Sequence, residues 1–290
     1  MRIDLHTHSS ASDGTDSPAA VVALAVGAGL DVVALTDHDT TAGWEPAAAA
    51  RPESLTLIRG AEFSTHVVTD GRRRSVHLLG YLFDPADPAI VAEQARLVDE
   101  RLQRGLRIVE NMVSAGVPIT AEQVLDFAAG APVGRPHIGR ALVQAGLVAT
   151  VTEAFDTYLA GGGPYYVPKD DTELTLAVEM IAAAGGASVV AHPWGRSQRS
   201  VLDEARFREL KERGLSGIEV DHPDHGPNER DELRAMATRL HLLVTGSSDY
   251  HGTNKVLRLG QETTDPGMFA ELVAVTSGVH PLGPGECRTT

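Results

Sequence analysis

The chain has a single cysteine, Cys287, close to its C-terminal end. One thiol can build neither a disulfide nor a thiolate zinc site within a chain, so Cys287 is expected to be a tail residue without a role. Aromatic residues make up only 4%. No apolar run is long enough to span a bilayer. The opening Met1-Arg2-Ile3-Asp4-Leu5-His6 lacks the apolar core of a signal peptide and enters a strand at once. A cytoplasmic protein with no membrane partner is the expectation. Positive charge is also short: 25 Lys and Arg stand against 39 Asp and Glu, a formal net charge of −14. That argues against binding duplex DNA, which needs a broad basic surface. A short phosphorylated substrate stays open, because bound metal ions add local positive charge that the count omits.

What the chain does have is histidine beside carboxylate, in five short stretches. They are His6-Thr7-His8 with Asp13, Asp37-His38-Asp39, Glu62 followed by His77, His192-Pro193, and Asp249-Tyr250-His251. Most follow a strand-like apolar run, and parallel α/β folds place their chemistry just past strand ends. N and O donors gathered on one rim point to a cluster of divalent ions and a hydrolase.

Seven strands are expected: Arg2–His6, Asp31–Thr36, Leu55–Glu62, Ser75–Phe83, Ala187–Ala191, Ser216–Asp221 and His241–Thr245. Helical patterns fill most of the gaps, including Ala19–Ala28 behind Ser17-Pro18, Thr172–Ala184, Asp203–Arg213 and Asn228–Leu240. The alternation predicts an α/β fold with a mostly parallel sheet or barrel. Thr69-Asp70-Gly71-Arg72 is a hairpin turn, so the third and fourth strands should depart from strict βα order. Residues 91–165 show helix after helix: Val91–Ala115, a capping box at Thr120-Ala121-Glu122-Gln123, Pro136–Ala145 and Thr152–Ala160, closed by Gly161-Gly162-Gly163-Pro164. We read residues 91–165 as a helical insertion, a cap on a discontinuous barrel made of residues 1–90 and 166–290. The tail from His280 is expected to be loosely ordered.

His6 and His8 leave one face of a strand end and can reach one metal. Asp13 sits in a turn that can fold back over that end. His38 follows the apolar run Val32-Val33-Ala34-Leu35, where Asp37 and Asp39 suit helix capping and Asp37 could also hold an imidazole by an outer hydrogen bond. Glu62 can bridge two cations, which imidazole cannot readily do. His77 competes with His66, which shares strand parity with Glu62. His192, Asp249 and His251 complete the rim. The absence of sulfur ligands suits manganese, iron(II) or zinc.

These motifs, taken in order to about residue 252, resemble the PHP (polymerase and histidinol phosphatase) superfamily. The resemblance implies a distorted seven-stranded TIM-like barrel with three divalent ions. The first would take His6, His8, Glu62 and Asp249, the second Asp13, His38 and His251, and the third Glu62, His77 and His192, which favours His77 over His66. The helical insertion with Gly134-Arg135-Pro136-His137 resembles a narrower group. Similar proteins hydrolyse 5′-mononucleotides or 3′,5′-bisphosphonucleosides, and some trim short RNA from its 5′ end.

The expected chemistry is attack on phosphorus by hydroxide held between metals. Arg135, His137, Arg196 and Arg199 are candidates for gripping substrate. His222 and His225 are candidates for protonating the leaving group. Arg101, Arg104 and Arg107 lie on one helical stripe that could steer an RNA tail or form a solvated face paired with Glu100 and Glu110. Two other readings remain at this point: a phosphatase for a small metabolite such as histidinol phosphate, and a non-catalytic regulatory module.

Overall fold

The computed structural model describes residues 1–195 and 201–283. Arg196, Arg199 and Cys287 lie outside the described residues. The strands are β1 (Ile3–Asp4), β2 (Val32–Leu35), β3 (Thr56–Thr69), β4 (Arg72–Tyr81), β5 (Thr172–Glu173), β6 (Ala187–Ala191), β7 (Gly217–Asp221) and β8 (Leu243–Gly246). They form one sheet in the order β1-β2-β3-β4-β6-β7-β8, with β5 added beside β3. A parallel bridge from Thr7 to Tyr250 brings the two ends together. The sheet is therefore nearly closed, a barrel-like α/β fold.

Only β4 runs against its neighbours, pairing antiparallel with both β3 and β6. The cause is the two-residue turn between β3 and β4. Asp70 and Gly71 both take positive φ, 52° and 68°, the twist that a tight hairpin requires. The hairpin extends further than the sequence suggests, to Thr69 and back from Arg72, because cross-strand pairing continues out from the barrel.

Two other expectations are corrected. Thr172 and Glu173 are not helical. They pair with Thr65 and His66, and the Glu173 side chain accepts from Leu176 N at 3.0 Å to cap the next helix. The chain just past His280 is not loose: Leu282 and Leu57 exchange two backbone hydrogen bonds of 3.0 and 2.9 Å.

Most of the α-helices start at a side-chain cap. Helix α1 (Pro18–Gly27) starts at Ser17, whose hydroxyl accepts from Ala20 N at 3.2 Å. Next come α2 (Trp44–Ala50), α3 (Pro88–Ser114), α4 (Ala121–Ala128), α5 (Arg135–Gln144) and α6 (Val151–Thr157). Then follow α7 (Leu174–Ala183), α8 (Glu204–Glu212), α9 (Pro227–Leu240) and α10 (Pro266–Ala274). Thr120 and Gln123 form the expected capping box at α4. No helix among the described residues is long and apolar enough to cross a membrane.

The long helix α3 ties two cores together. Ile90 and Leu97, near its start, pack in the barrel core with Phe63 and Leu78. Ile108, Val109 and Met112, near its end, pack in a separate helical core with Ile138, Leu142, Ala154 and Leu159. The helices α4, α5 and α6 thus hang from the end of α3 beside the barrel.

Candidate metal centre and its cavity

The ligand candidates meet at one rim because consecutive strands end there. Glu62 lies on β3 at a parallel bridge to His38, just past β2. Ser64 pairs with His77 on β4, and His77 pairs with Ala191 at the end of β6. Three of these strand ends turn through left-handed backbone: Asp39 at φ 55°, His192 at 28° and Asp249 at 52°. Residues other than glycine take that conformation at a cost, and it persists where surrounding contacts enforce it.

His6 Nε2 and His8 Nε2 lie 3.0 Å apart. Glu62 Oε2 is 3.2 and 3.0 Å from them, and Asp249 Oδ1 3.5 and 3.6 Å. His251 Nε2 and His38 Nε2 face Asp13 at 3.4 and 3.7 Å. His77 Nδ1 and His192 Nε2 approach Glu62 Oε1 at 2.8 and 3.3 Å. His66 instead has its Nδ1 2.8 Å from the carbonyl of Asp171, further out on the hairpin.

The donor atoms fit cations. Those of His8, Asp13, His38 and His251 lie within 4.8 Å of one another, as do those of His6, His8 and Asp249, and of His38, Glu62 and His77. Asp13 Oδ1 and His38 Nδ1 are buried without a hydrogen bond. Burial of such atoms is costly unless something satisfies them. His6 donates from Nδ1 to Glu219 at 3.0 Å, so in the neutral ring the Nε2 lone pair is turned towards His8 and Glu62.

Electrostatics agree with this. Burial opposes charge on the carboxylates, but His38 and His251 hold Asp13 well below the usual range. His77 and His6 do the same for Glu62, and Lys255 and His251 for Asp249. Burial, helped by the charge of His251, pushes His8 down to about 4. His6 goes the other way: despite burial, Glu62, Glu219 and Asp249 raise it well above the ordinary histidine value. Three ionised carboxylates among imidazoles form an anionic cage that suits divalent ions.

The rim opens into a cavity of about 710 Å³, lined in part by Asp13, His38, Glu62, His77, His192 and His251. Arg101, Arg104, Arg135, Lys169 and Lys255 line it as well. Arg101 binds Asp39 and Ser64, while Arg104 is buried and donates from Nε to Val167 O at 2.8 Å. Arg107 alone of that stripe points away, towards Glu100 at 3.3 Å.

Two of the expected side chains have other employment. His137 is buried, accepts from Gly134 N at 3.0 Å and bonds the backbone of Ser12. It braces α5 against the turn that carries Asp13 and does not line the cavity. His225 donates from Nδ1 to Val220 O at 2.9 Å and accepts from Trp194 N at 3.3 Å, so backbone groups take both ring nitrogens. His222 accepts at Nδ1 from Asp224 N at 3.0 Å, which leaves its proton on Nε2, 3.4 Å from Asp249 Oδ2. Glu219, Lys169 and Lys255 were not foreseen. Glu219 is buried on β7, bonds His6, Ser247 and His192 N, and is brought down to about 2 against its burial, chiefly by His6 and His222.

The sequence comparisons decide the family. The chain is 34% identical over 263 residues to the 5′-3′ exoribonuclease Rnm of Escherichia coli, covering 89% of this chain and 88% of that protein. The PHP domain family matches residues 4–116. The chain belongs to the PHP family. A second PHP relative is the 3′,5′-nucleoside bisphosphate phosphatase of Chromobacterium violaceum, 34% identical over 251 residues, covering 86% of this chain and 87% of that one. A solved structure from Bifidobacterium adolescentis, whose name proposes a metal-dependent phosphoesterase, superposes with a TM-score of 0.88 at 35% identity over 95% and 96% of the two chains.

Proposed function

We propose that this PHP protein is a metal-dependent phosphoesterase for nucleotides. Its substrates would be 5′-mononucleotides, 3′,5′-bisphosphonucleosides or the 5′ end of short RNA. The observation that carries the substrate class is that Arg101, Arg104, Arg135 and Lys169 line the same cavity as the anionic cage, with Arg101 paired to Asp39 and Lys169 to Asp171 at 3.5 Å. In a chain of formal charge −14 four cationic side chains gathered on one cavity are a local concentration, even with two of them paired to carboxylates. It favours a substrate that carries negative charge beyond the ester being cleaved. Histidinol phosphate, with a cationic amine, would meet repulsion there.

In this reading His6, His8, Asp13, His38, Glu62, His77, His192, Asp249 and His251 hold up to three divalent ions, with manganese, iron(II) or zinc suited to the donors. Bound ions supply charge for the phosphoryl oxygens and acidify water at neutral pH. Glu219 fixes the ring of His6. His222 holds the outer oxygen of Asp249 and acts as a positioning residue, and His225 is a brace. Arg135 and Lys169 bind the remote phosphate. The helices of residues 91–165 act as the cap that delivers Arg101, Arg104 and Arg135 to the cavity.

Phosphate release by the manganese-loaded protein tests this. A 3′,5′-bisphosphonucleoside, a 5′-mononucleotide, a 5′-phosphorylated RNA dinucleotide and histidinol phosphate are compared side by side. Preference for the nucleotides is expected. Preference for histidinol phosphate would leave the centre standing and overturn the substrate class.

A further inference from the structure

We propose that the cap also carries a nucleobase-stacking subsite, built from Tyr166 and from Phe155 with its stacked Arg135, all of which line the cavity. The inference rests on the nucleotide reading above and deepens it, because it assigns the part of the substrate that cationic charge alone cannot recognise.

Aromatic side chains are scarce, with two Trp, five Tyr and six Phe. Tyr166, 44% accessible, is the only one of them that is exposed. It lines the cavity together with Phe155, Val151, Leu159 and Pro136. An exposed ring facing a cavity gains when an apolar group covers it, and a flat aromatic group adds a favourable stacking geometry.

The ring is held out by an ordered turn. Tyr166 N donates to Gly163 O at 3.1 Å, and the next carbonyl, Val167 O, receives Arg104 Nε at 2.8 Å. The preceding residue, Tyr165, stacks on Tyr158 with centroids 6.2 Å apart and planes 15° from parallel. Phe155 is half-buried, and the Arg135 guanidinium lies over its ring at 5.0 Å. Arg135 is oriented in turn by Leu159 O at 2.9 Å. Aromatic faces and a stacked guanidinium are the surfaces on which nucleobases lie.

Size agrees as well. A volume of about 710 Å³ exceeds what a phosphate ion fills and lies in the range of pockets for small organic ligands. Because the exposed Tyr166 ring and the Arg135 guanidinium stacked on Phe155 offer flat surfaces, the subsite reads the presence of a base more than its identity.

The test compares adenosine 5′-monophosphate with ribose 5-phosphate, which keeps the same ester and sugar and lacks the base. With the manganese-loaded full chain, KM for the nucleotide should be lower by roughly 10- to 100-fold, the range of one base–aromatic stack. Tyr166→Ala should bring that ratio close to one, and Tyr166→Phe should retain it. Phe155→Leu, which keeps apolar volume in the cap, should also shrink it. A ratio near one in the unsubstituted protein, or a ratio that survives Tyr166→Ala, overturns the subsite. Binding of both compounds is measured in parallel by calorimetry. If neither ester is cleaved, the phosphoesterase reading fails by itself, and the calorimetric ratio still decides the stacking subsite.

Discussion

His6 Nε2 and His8 Nε2 face each other at 3.0 Å, with Glu62 Oε2 close to both. The Nδ1 of His6 is committed to Glu219. In the neutral ring the Nε2 lone pair therefore points at a second imidazole and a carboxylate. That arrangement is repulsive until a proton or a cation sits among the atoms. Divalent ions should accordingly stabilise the fold. At an ion concentration 100 times its Kd, each site adds about 2.7 kcal/mol. Thermal unfolding of chelator-treated protein, with and without manganese, reads the gain. An unchanged Tm would remove the metal centre from the argument.

Glu219 should matter almost as much as a ligand, although it lies behind one. Its Oε1 receives His6 Nδ1 and its Oε2 receives His192 N at 2.8 Å. In Glu219→Gln one of these N–H groups faces an amide N–H instead of an oxygen. Metal affinity should fall about 10- to 100-fold, as it does when an outer partner of a ligating histidine is lost. Titration with manganese, followed by a count of bound ions, measures this. Retained affinity would make Glu219 a structural residue only.

The contrast between Glu219 and His38 shows what the sequence can carry. His38, His192 and Asp249 each stand just past an apolar run, so a strand end announces them. Glu219 sits inside β7 between Ile218 and Val220, where alternation reads as an ordinary strand with one solvated side. Only closure of the sheet turns that side inward. Lys169 and Lys255 reach the cavity from loops that no local pattern links to it. The hairpin was legible because Asp70-Gly71 demands a particular turn. β5 was not, because two residues carry no period and its helix cap at Glu173 resembles helix. His137 looked like a substrate contact at a helix start, and the tertiary contact with Ser12 that makes it a brace has no sequence signal.

Gly252 should tolerate no side chain. Its φ is 65°, and a Cβ there would lie 2.0 Å from Thr15 Oγ1. The same loop bonds back to the Asp13 turn, Asn254 to Asp13 O at 2.7 Å and Thr253 N to Thr15 Oγ1 at 2.9 Å. Gly252→Ala must push the two loops apart, and so separate His251 from Asp13. We expect a loss of roughly 1–3 kcal/mol in stability together with weaker metal binding. Denaturant unfolding and metal titration report the two effects separately.

Metal uptake should release protons and strengthen with pH. In the metal-free protein the carboxylates around His6 raise its pKa well above 6.5, against its burial. The stability that this proton contributes is complete below 6.5 and is lost as pH rises through the folded value. An ion needs the unprotonated nitrogen, so it competes with that proton. The gap in Tm between loaded and metal-free protein should therefore widen as pH rises above 6.5. Calorimetric titration in two buffers of different ionisation enthalpy counts the protons released. Zero protons released would contradict the charged His6.

Arg101 should hold α3 against the end of β2 through Asp39. The guanidinium comes from α3 and uses two of its donors, Nε to Asp39 and an Nη to Ser64 Oγ at 2.7 Å. Asp39 is fully buried, and Ser64 N gives it a further bond at 2.6 Å. Arg101→Met leaves that carboxylate without countercharge, which costs roughly 3 kcal/mol for a buried pair. Arg101→Lys should recover little, since a single ammonium cannot replace the fork. Adding Asp39→Asn to Arg101→Met removes the stranded charge, so the double variant should be more stable than Arg101→Met alone. Unfolding midpoints of the four proteins settle the sign. A double variant less stable than either single would mean that Asp39 acts through Ser64 and its own left-handed turn, and that Arg101 serves the cavity rather than the joint.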